Sequence, residues 1–220
     1  GVSPYALRTD AYSYPPLWMW AEGAGVWLSE FFQIPFQIII KIPLVISDGF
    51  IALLIYNLAK KYGHKSAFLL GIFYALNPVS IIITSFHGQF DTLMLLMILL
   101  AVYTFGWSKR WISPLFLGIA IALKSFPVLL LPFFLLHCGK NTNGKRRYLI
   151  ISMAPLVILL LPFLITDFEG VKTVLFGYAG WPDHGWVAAF RAFFLLDEKA
   201  IFTRFLIVDQ LLAASKMIFL

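Results

Sequence analysis

Five long runs of apolar residues, separated by short polar loops, organise the chain. Four of them, 36–59, 66–85, 90–107 and 148–166, have the length of one membrane crossing. About 20 helical residues span the ~30 Å hydrocarbon core of a bilayer, whereas a membrane β-strand alternates apolar and polar residues over about 10 positions. The pattern therefore predicts an all-α, multi-pass transmembrane helical bundle.

The fifth run, 111–138, is too long for one crossing and too short for two. Lys124 interrupts it, and Pro127 follows, which cannot continue the hydrogen-bond ladder of the preceding turn. We therefore expect a hairpin of two short helices with its tip at Lys124. The alternative is one tilted span, kinked at Pro127, with the 139–147 loop on the outer side.

Basic residues gather in three of the short loops, which contain no Asp or Glu: Lys60, Lys61 and Lys65; Lys109 and Arg110; Lys140, Lys145, Arg146 and Arg147. Cytoplasmic loops of membrane proteins carry such an excess of cations. This distribution predicts that the three loops are cytoplasmic and that the turn at 87–91 and the break at Lys124 lie at the opposite face.

One membrane domain is expected to cover the chain. Residues 1–33 would form an external loop with an interfacial helix, because 18–32 mixes Trp and Phe with Glu22 and Glu30. The transmembrane bundle would follow over 34–166, a second external loop over 167–200, and the start of a further membrane segment over 201–220. Since the chain begins with Gly1 and stops inside an apolar run, we expect it to be a fragment.

Composition excludes several classes of protein. With 60% hydrophobic and 13% charged residues and a single cysteine, the chain is neither a soluble globule nor a disulfide-stapled module. The net charge of +6 resides in the loops, so no nucleic-acid partner is expected. The four histidines lack metal-ligand spacing, so we predict no metal site and no secure cofactor, although a divalent ion without a recognisable motif stays open. No phosphate-binding glycine loop occurs, which argues against a soluble nucleotide donor.

Three ionisable residues, Lys41, Asp48 and Lys124, fall at membrane depth, where a charge costs at least about 2.5–3.5 kcal/mol and needs a polar partner or cavity. Lys41 and Asp48 are two helical turns apart and share one helix face. They would pair with polar groups of neighbouring helices, or Lys41 would extend to the outer interface. At the hairpin tip, Lys124 would place an ammonium at the level of lipid phosphates.

The segment His87-Gly-Gln-Phe-Asp91 places an imidazole, an amide and a carboxylate in one turn between two spans. Such groups suit the binding of a sugar, while the alternative is a turn that is merely hydrated.

Seven short motifs occur in an order that resembles one family: Tyr14-Pro-Pro-Leu17, Lys41-x-Pro with Asp48, Leu76-Asn-Pro78, His87-Gly-Gln-Phe-Asp91, Lys124-x-x-Pro127, Leu161-Pro-Phe163 and Val187-Ala-Ala-Phe190. The chain is similar over nearly its whole length to the GT-C superfamily. The resemblance is to the dolichyl-phosphate-glucose-dependent glucosyltransferases of lipid-linked oligosaccharide assembly and their polyprenol-dependent prokaryotic relatives. One departure is that Asp91 replaces an amide of the eukaryotic turn.

The resemblance implies an inverting hexosyltransferase, with glucose or mannose moving from a polyprenyl-phosphate donor to a lipid-linked or glycan acceptor at the non-cytoplasmic face. Its partners would be that donor, that acceptor and membrane lipids. Because the leaving phosphate gains negative charge, Lys124 and Arg191 are the candidate cations, although Arg191 would serve equally as an interfacial anchor beside Trp186. His87, Gln89 and Tyr14 are candidates for holding the sugar or acceptor.

The catalytic base is the least determined part of the site. The family's catalytic carboxylate precedes the Tyr-Pro-Pro-Leu motif in the first external loop, and Asp10 is the one acid before Tyr14. We list Asp10 and Asp91 as catalytic candidates and expect the usual base upstream of Gly1, after a first transmembrane helix that this chain lacks.

The rival interpretation is a transporter or lipid flippase, in which Lys41, Asp48 and Lys124 would line a translocation path. Such proteins have paired interrupted helices in two related halves, whereas one broken hairpin is visible here. Because no Asn-x-Ser/Thr sequon occurs, we predict the cytoplasmic membrane of a prokaryote rather than the endoplasmic reticulum.

Overall fold

The computed structural model describes residues 5, 14–106, 111–138 and 142–177, and within these ranges the chain is helical and contains no strand. The α-helices are α1 (Pro16–Phe32), α2 (Phe36–Lys61), α3 (Ala67–Ala75), α4 (Pro78–Ile81), α5 (Asp91–Thr104), α6 (Ile112–Leu123), α7 (Leu131–His137), α8 (Thr142–Thr166) and α9 (Phe168–Gly177). A π-helical turn covers Ile82–His87 and a 3-10 turn covers Phe126–Leu130. The predicted all-α class is confirmed.

Two compact units, Gly1–Leu175 and Phe176–Leu220, divide the chain, and nearly all described residues belong to the first. The single domain and its four predicted parts therefore stay predictions, and residues 178–220 lie outside the described ranges.

Three helical segments of the described chain are long and apolar enough to cross a membrane: Phe36–Lys61, Ala67–His87 and Thr142–Thr166. The second consists of α3, α4 and the π-helical turn. These segments match three of the predicted crossings. The predicted crossing at 90–107 is shorter, since α5 has 14 residues, about 21 Å of helix.

The chain doubles back at Lys124, which ends α6 in an extended conformation (φ −140°, ψ 141°). Near the end of α7, the Phe134 ring lies 5.5 Å from the Tyr148 ring. The Tyr148 hydroxyl in turn lies 3.0 Å from Ser113 Oγ, at the start of α6. The far end of α7 is therefore beside the near end of α6, so the short-helix hairpin is confirmed and one kinked span is not formed.

Two buried apolar clusters hold the helices together. One, which we call the outer cluster, contains Trp18, Leu44, Phe90, Met94, Ala120 and Leu123 and joins α1, α2, α5 and α6. The other contains Ala101, Leu117, Ile121, Leu131, Phe134 and Tyr148 and joins the hairpin to α5 and α8. The outer cluster lies beside the Lys124 break.

Helix α1 begins at the Pro15-Pro16 pair and ends at Gln33, which adopts a left-handed conformation (φ 56°). Trp18 packs into the outer cluster, while Gly25 faces Phe36 and Ile40 of α2. The other four aromatic side chains of α1 are exposed: Trp20, Trp27, Phe31 and Phe32. A helix with one packed face and an exposed aromatic face suits the predicted position at a membrane interface.

Helices α6 and α8 pack closely against each other at Gly118. A Cβ atom there would lie 2.6 Å from the Ser152 carbonyl oxygen and 2.9 Å from Pro155 Cγ. Only a residue without a side chain allows this contact, which fixes the hairpin against α8.

Gly118→Ala is expected to lower the melting temperature of the detergent-solubilised protein, because the two helices must separate to admit a methyl group. Overpacking of this kind costs about 1–3 kcal/mol. Gly23→Ala on α1 is the matched control, since a Cβ there meets nothing within 4 Å. Equal melting temperatures for the two variants would contradict the close packing.

Candidate functional site

An ion pair joins the hairpin tip to the start of α5. Lys124 Nζ lies 2.5 Å from Asp91 Oδ1, and the two side chains are 16% and 35% exposed. Asp91 is the first residue of α5, where the partial positive charge of the helix N-terminus favours a carboxylate. The break at Lys124 and the start of α5 therefore hold opposite charges against each other, partly shielded from water.

Aromatic rings surround the same ammonium. Lys124 Nζ lies 5.1 Å from the centroid of the Tyr14 ring and 5.0 Å from that of Phe90. Tyr14 packs edge-on against Phe90 at 5.0 Å, and Trp18 stacks on Phe90 at 4.4 Å. Cations are attracted to ring faces, more strongly where water is excluded. The lysine is thus fixed by one carboxylate and two rings.

The segment that carries Tyr14 is tied to α8. The hydroxyl of the fully buried Tyr5 donates a hydrogen bond to the Tyr14 carbonyl oxygen at 3.1 Å, and its ring packs edge-on against Phe163. Burial raises the pKa of the Tyr5 phenol, so it stays a donor at neutral pH.

Glu22 is half-buried on α1, one helical turn after Trp18. Burial raises the pKa of Glu22, and the Trp18 hydrogen bond opposes this shift.

Lys41 supports the turn that precedes Asp91. Its Nζ donates a hydrogen bond to the Phe86 carbonyl oxygen at 3.0 Å. Gly88 adopts a left-handed conformation (φ 77°), and a Cβ there would lie 3.1 Å from Lys41 Cε. Glycine suits this position for two reasons: it adopts the left-handed backbone conformation readily, and it leaves room for the Lys41 side chain.

Asp48 connects α2 to the next span. Its Oδ1 accepts hydrogen bonds from the Tyr74 hydroxyl and from Ser80 Oγ, both at 2.8 Å. Lys41 and Asp48 therefore both contact polar groups of the neighbouring segment, the first of the two arrangements that the sequence left open.

His87 and Gln89 are exposed and lie in the turn just before Asp91. Within the described ranges neither side chain makes a hydrogen bond, so both polar groups are available to a ligand. Two buried threonines near the turn, Thr84 and Thr92, also have hydroxyl groups without a partner among the described residues.

Sequence reasoning missed Phe90, which contacts Lys124, and Trp18, which stacks on Phe90. It also missed the two threonines. The sequence could have indicated Phe90, because it is next to the candidate residue Asp91 in the turn. Trp18 gave no signal, because its contact with Phe90 joins two distant segments.

Two of the predicted site residues, Asp10 and Arg191, lie outside the described residues, as does Trp186. Among the side chains that the structure describes, no three His, Cys, Asp or Glu residues are grouped so that they could hold a metal ion. The described site thus consists of Lys124, Asp91, Tyr14 and the polar turn at 87–89.

Comparison with known proteins gives two matches. The model of glycosyltransferase family 87 matches residues 12–196. GPI mannosyltransferase 1 of Debaryomyces hansenii is 27% identical over 192 residues, which are 81% of this chain and 44% of that protein. The chain thus spans less than half the length of this relative. No solved structure matches.

The Lys124–Asp91 pair is expected to show strong coupling in a double-mutant cycle of thermal unfolding. Lys124→Met or Asp91→Asn alone leaves a partly buried group without its partner and should cost about 1–3 kcal/mol, the penalty for an unsatisfied buried polar group. The double variant removes both charges and should regain much of the lost stability. Additive effects of the two single substitutions would contradict the pairing.

Proposed function

Since the chain belongs to glycosyltransferase family 87 and is a GT-C-type membrane glycosyltransferase, we propose that it transfers one hexose from a polyprenyl-phosphate donor. The acceptor is a lipid-linked or glycan hydroxyl at the non-cytoplasmic face, and the anomeric configuration is inverted. Mannose is the favoured hexose, because the matched fungal relative is named a mannosyltransferase, and glucose is the alternative.

The Lys124 ammonium carries this proposal. In a displacement at the anomeric carbon, the leaving phosphate passes from about one negative charge toward two. A fixed cation in a partly dry site stabilises that charge most in the transition state. Lysine has three N–H donors, and Asp91 accepts one of them, so two remain for phosphate oxygens.

Asp91 has a different role in this proposal from the one that the sequence suggested. Its Oδ1 is paired with Lys124, so it serves best as the positioning residue that holds the ammonium toward the donor. The base that takes the acceptor proton remains Asp10 or a carboxylate of the first external loop upstream of Gly1.

Sugar recognition falls to the turn and to Tyr14. His87 and Gln89 offer an imidazole and an amide to sugar hydroxyls, and the Lys41 hydrogen bond to Phe86 keeps the turn in position. The Tyr14 ring, already in contact with Lys124, lies where it would limit the space around the phosphate.

The transporter interpretation receives no support from the contacts, since Lys41 and Asp48 bind a carbonyl and two hydroxyl groups. The compartment stays a prediction. A prokaryotic cytoplasmic membrane is proposed, although the matched relative comes from a yeast.

The purified full-length enzyme should use polyprenyl-phosphate mannose and not GDP-mannose. Transfer of radiolabelled mannose to a lipid extract of the source membranes, separated by thin-layer chromatography, measures both reactions. Transfer from GDP-mannose in the absence of any polyprenyl carrier would contradict the proposed donor class.

Lys124→Met should lower turnover by about ten- to a hundred-and-fifty-fold, because a charge-assisted hydrogen bond contributes roughly 1.5–3 kcal/mol. Lys124→Arg should keep part of the activity, since it retains the cation. Lys145→Met, at the opposite end of the bundle, is the matched control. If the folded Lys124→Met enzyme turns over at the wild-type rate, Lys124 does not contact the leaving phosphate.

A further inference from the structure

A membrane-facing groove between α2 and α3 is separate from the site described above. Its volume is about 430 Å³, and its lining is apolar apart from the Tyr56 hydroxyl: Gly49, Ala52, Leu53, Tyr56, Phe68, Gly71, Ile72 and Ala75. The helices touch at its floor, where a Cβ on Gly71 would lie 3.0 Å from the Ala52 carbonyl oxygen. Leu53 and Phe68 at its rim are 56% and 68% exposed. The groove thus offers an apolar surface to an apolar chain.

One end of the groove leads to a cluster of cations. Lys60 Nζ lies 5.7 Å from the centroid of the Tyr56 ring, and Tyr56 lines the groove. Lys61 is the last residue of α2 and Lys65 follows in the short loop before α3. No acid occurs between Lys60 and Lys65, and all three lysines are exposed. Anionic lipids bind such basic clusters at the end of a transmembrane helix.

The position of the groove does not suit the phosphate of the glycosyl donor. Lys41, near the start of α2, contacts the turn before Asp91, while the groove begins only at Gly49 and runs toward Lys60. The groove and its lysines therefore belong to the half of the bilayer opposite the Lys124 site. Of the apolar ligands available there, one with a negative head group complements the three lysines, whereas an uncharged helix does not.

We propose that this groove binds an anionic phospholipid of the leaflet next to Lys60–Lys65. One acyl chain lies between α2 and α3, and the phosphate lies against Lys60, Lys61 and Lys65. This lipid is a bound component of the fold and takes no part in glycosyl transfer, so the inference does not rest on the proposed function.

Native mass spectrometry of the delipidated full-length protein tests the proposal. The protein is mixed with equal amounts of dioleoyl phosphatidylglycerol and dioleoyl phosphatidylcholine, and the lipid adducts are counted. One phosphatidylglycerol should be retained in preference to phosphatidylcholine. Replacing Lys60, Lys61 and Lys65 together by Gln should remove this preference, with affinity falling about fivefold for each lysine.

Gly49→Leu tests the groove itself. A Cβ at Gly49 meets nothing within 4 Å, so a side chain can begin there, and a leucine that occupies the groove should abolish the adduct. Gly23→Leu on α1, where a Cβ also meets nothing within 4 Å, is the matched control and should keep it.

Three results would overturn the proposal. These are equal retention of both lipids by the wild type, an undiminished adduct in Gly49→Leu, and a preference that survives removal of the three lysines. A different outcome would place a protein helix in the groove instead. In that case the wild type retains no lipid, and Gly49→Leu fails to fold while Gly23→Leu folds.

Discussion

Backbone polar groups inside a bilayer have no water to bind, and this constraint governs the structure. Helices satisfy it along the spans. Where the backbone is irregular, side chains supply the missing partners: Lys41 donates to the Phe86 carbonyl oxygen and the Asn77 side chain accepts from the Val79 N–H. Both interruptions that matter for the site, the turn at 87–90 and the break at Lys124, occur next to short helices rather than inside a long one.

The same scarcity of water determines what the Lys124 ammonium can bind. An ammonium in this position needs compensation, which Asp91 supplies with its charge and Tyr14 and Phe90 with their ring faces. Asp91 accepts one of the three N–H donors of the lysine, so two remain. The arrangement that makes the cation tolerable in the fold therefore also leaves it able to bind an anion.

The sequence predicted the features that depend on local pattern. Apolar length identified three helical segments long enough to cross a membrane, and Lys124 with Pro127 identified the hairpin. The polar contacts depend on how distant helices align: Lys124 meets Asp91 at a separation of 33 residues, and Lys41 meets Phe86 at a separation of 45. The apolar periodicity of single segments does not show how distant helices align. Asp91 was accordingly interpreted as a catalytic carboxylate, and only the structure showed it paired with the lysine.

The short-helix hairpin has a consequence for biogenesis. Helix α6 has 12 residues, about 18 Å, and the returning arm is interrupted by a 3-10 turn, so neither arm is long enough to be recognised alone as a membrane anchor. Their buried partners come from α5, which is synthesised earlier, and from α8, which is synthesised later. We therefore expect the two arms to enter the bilayer together and to reach their final packing only after α8 has been synthesised.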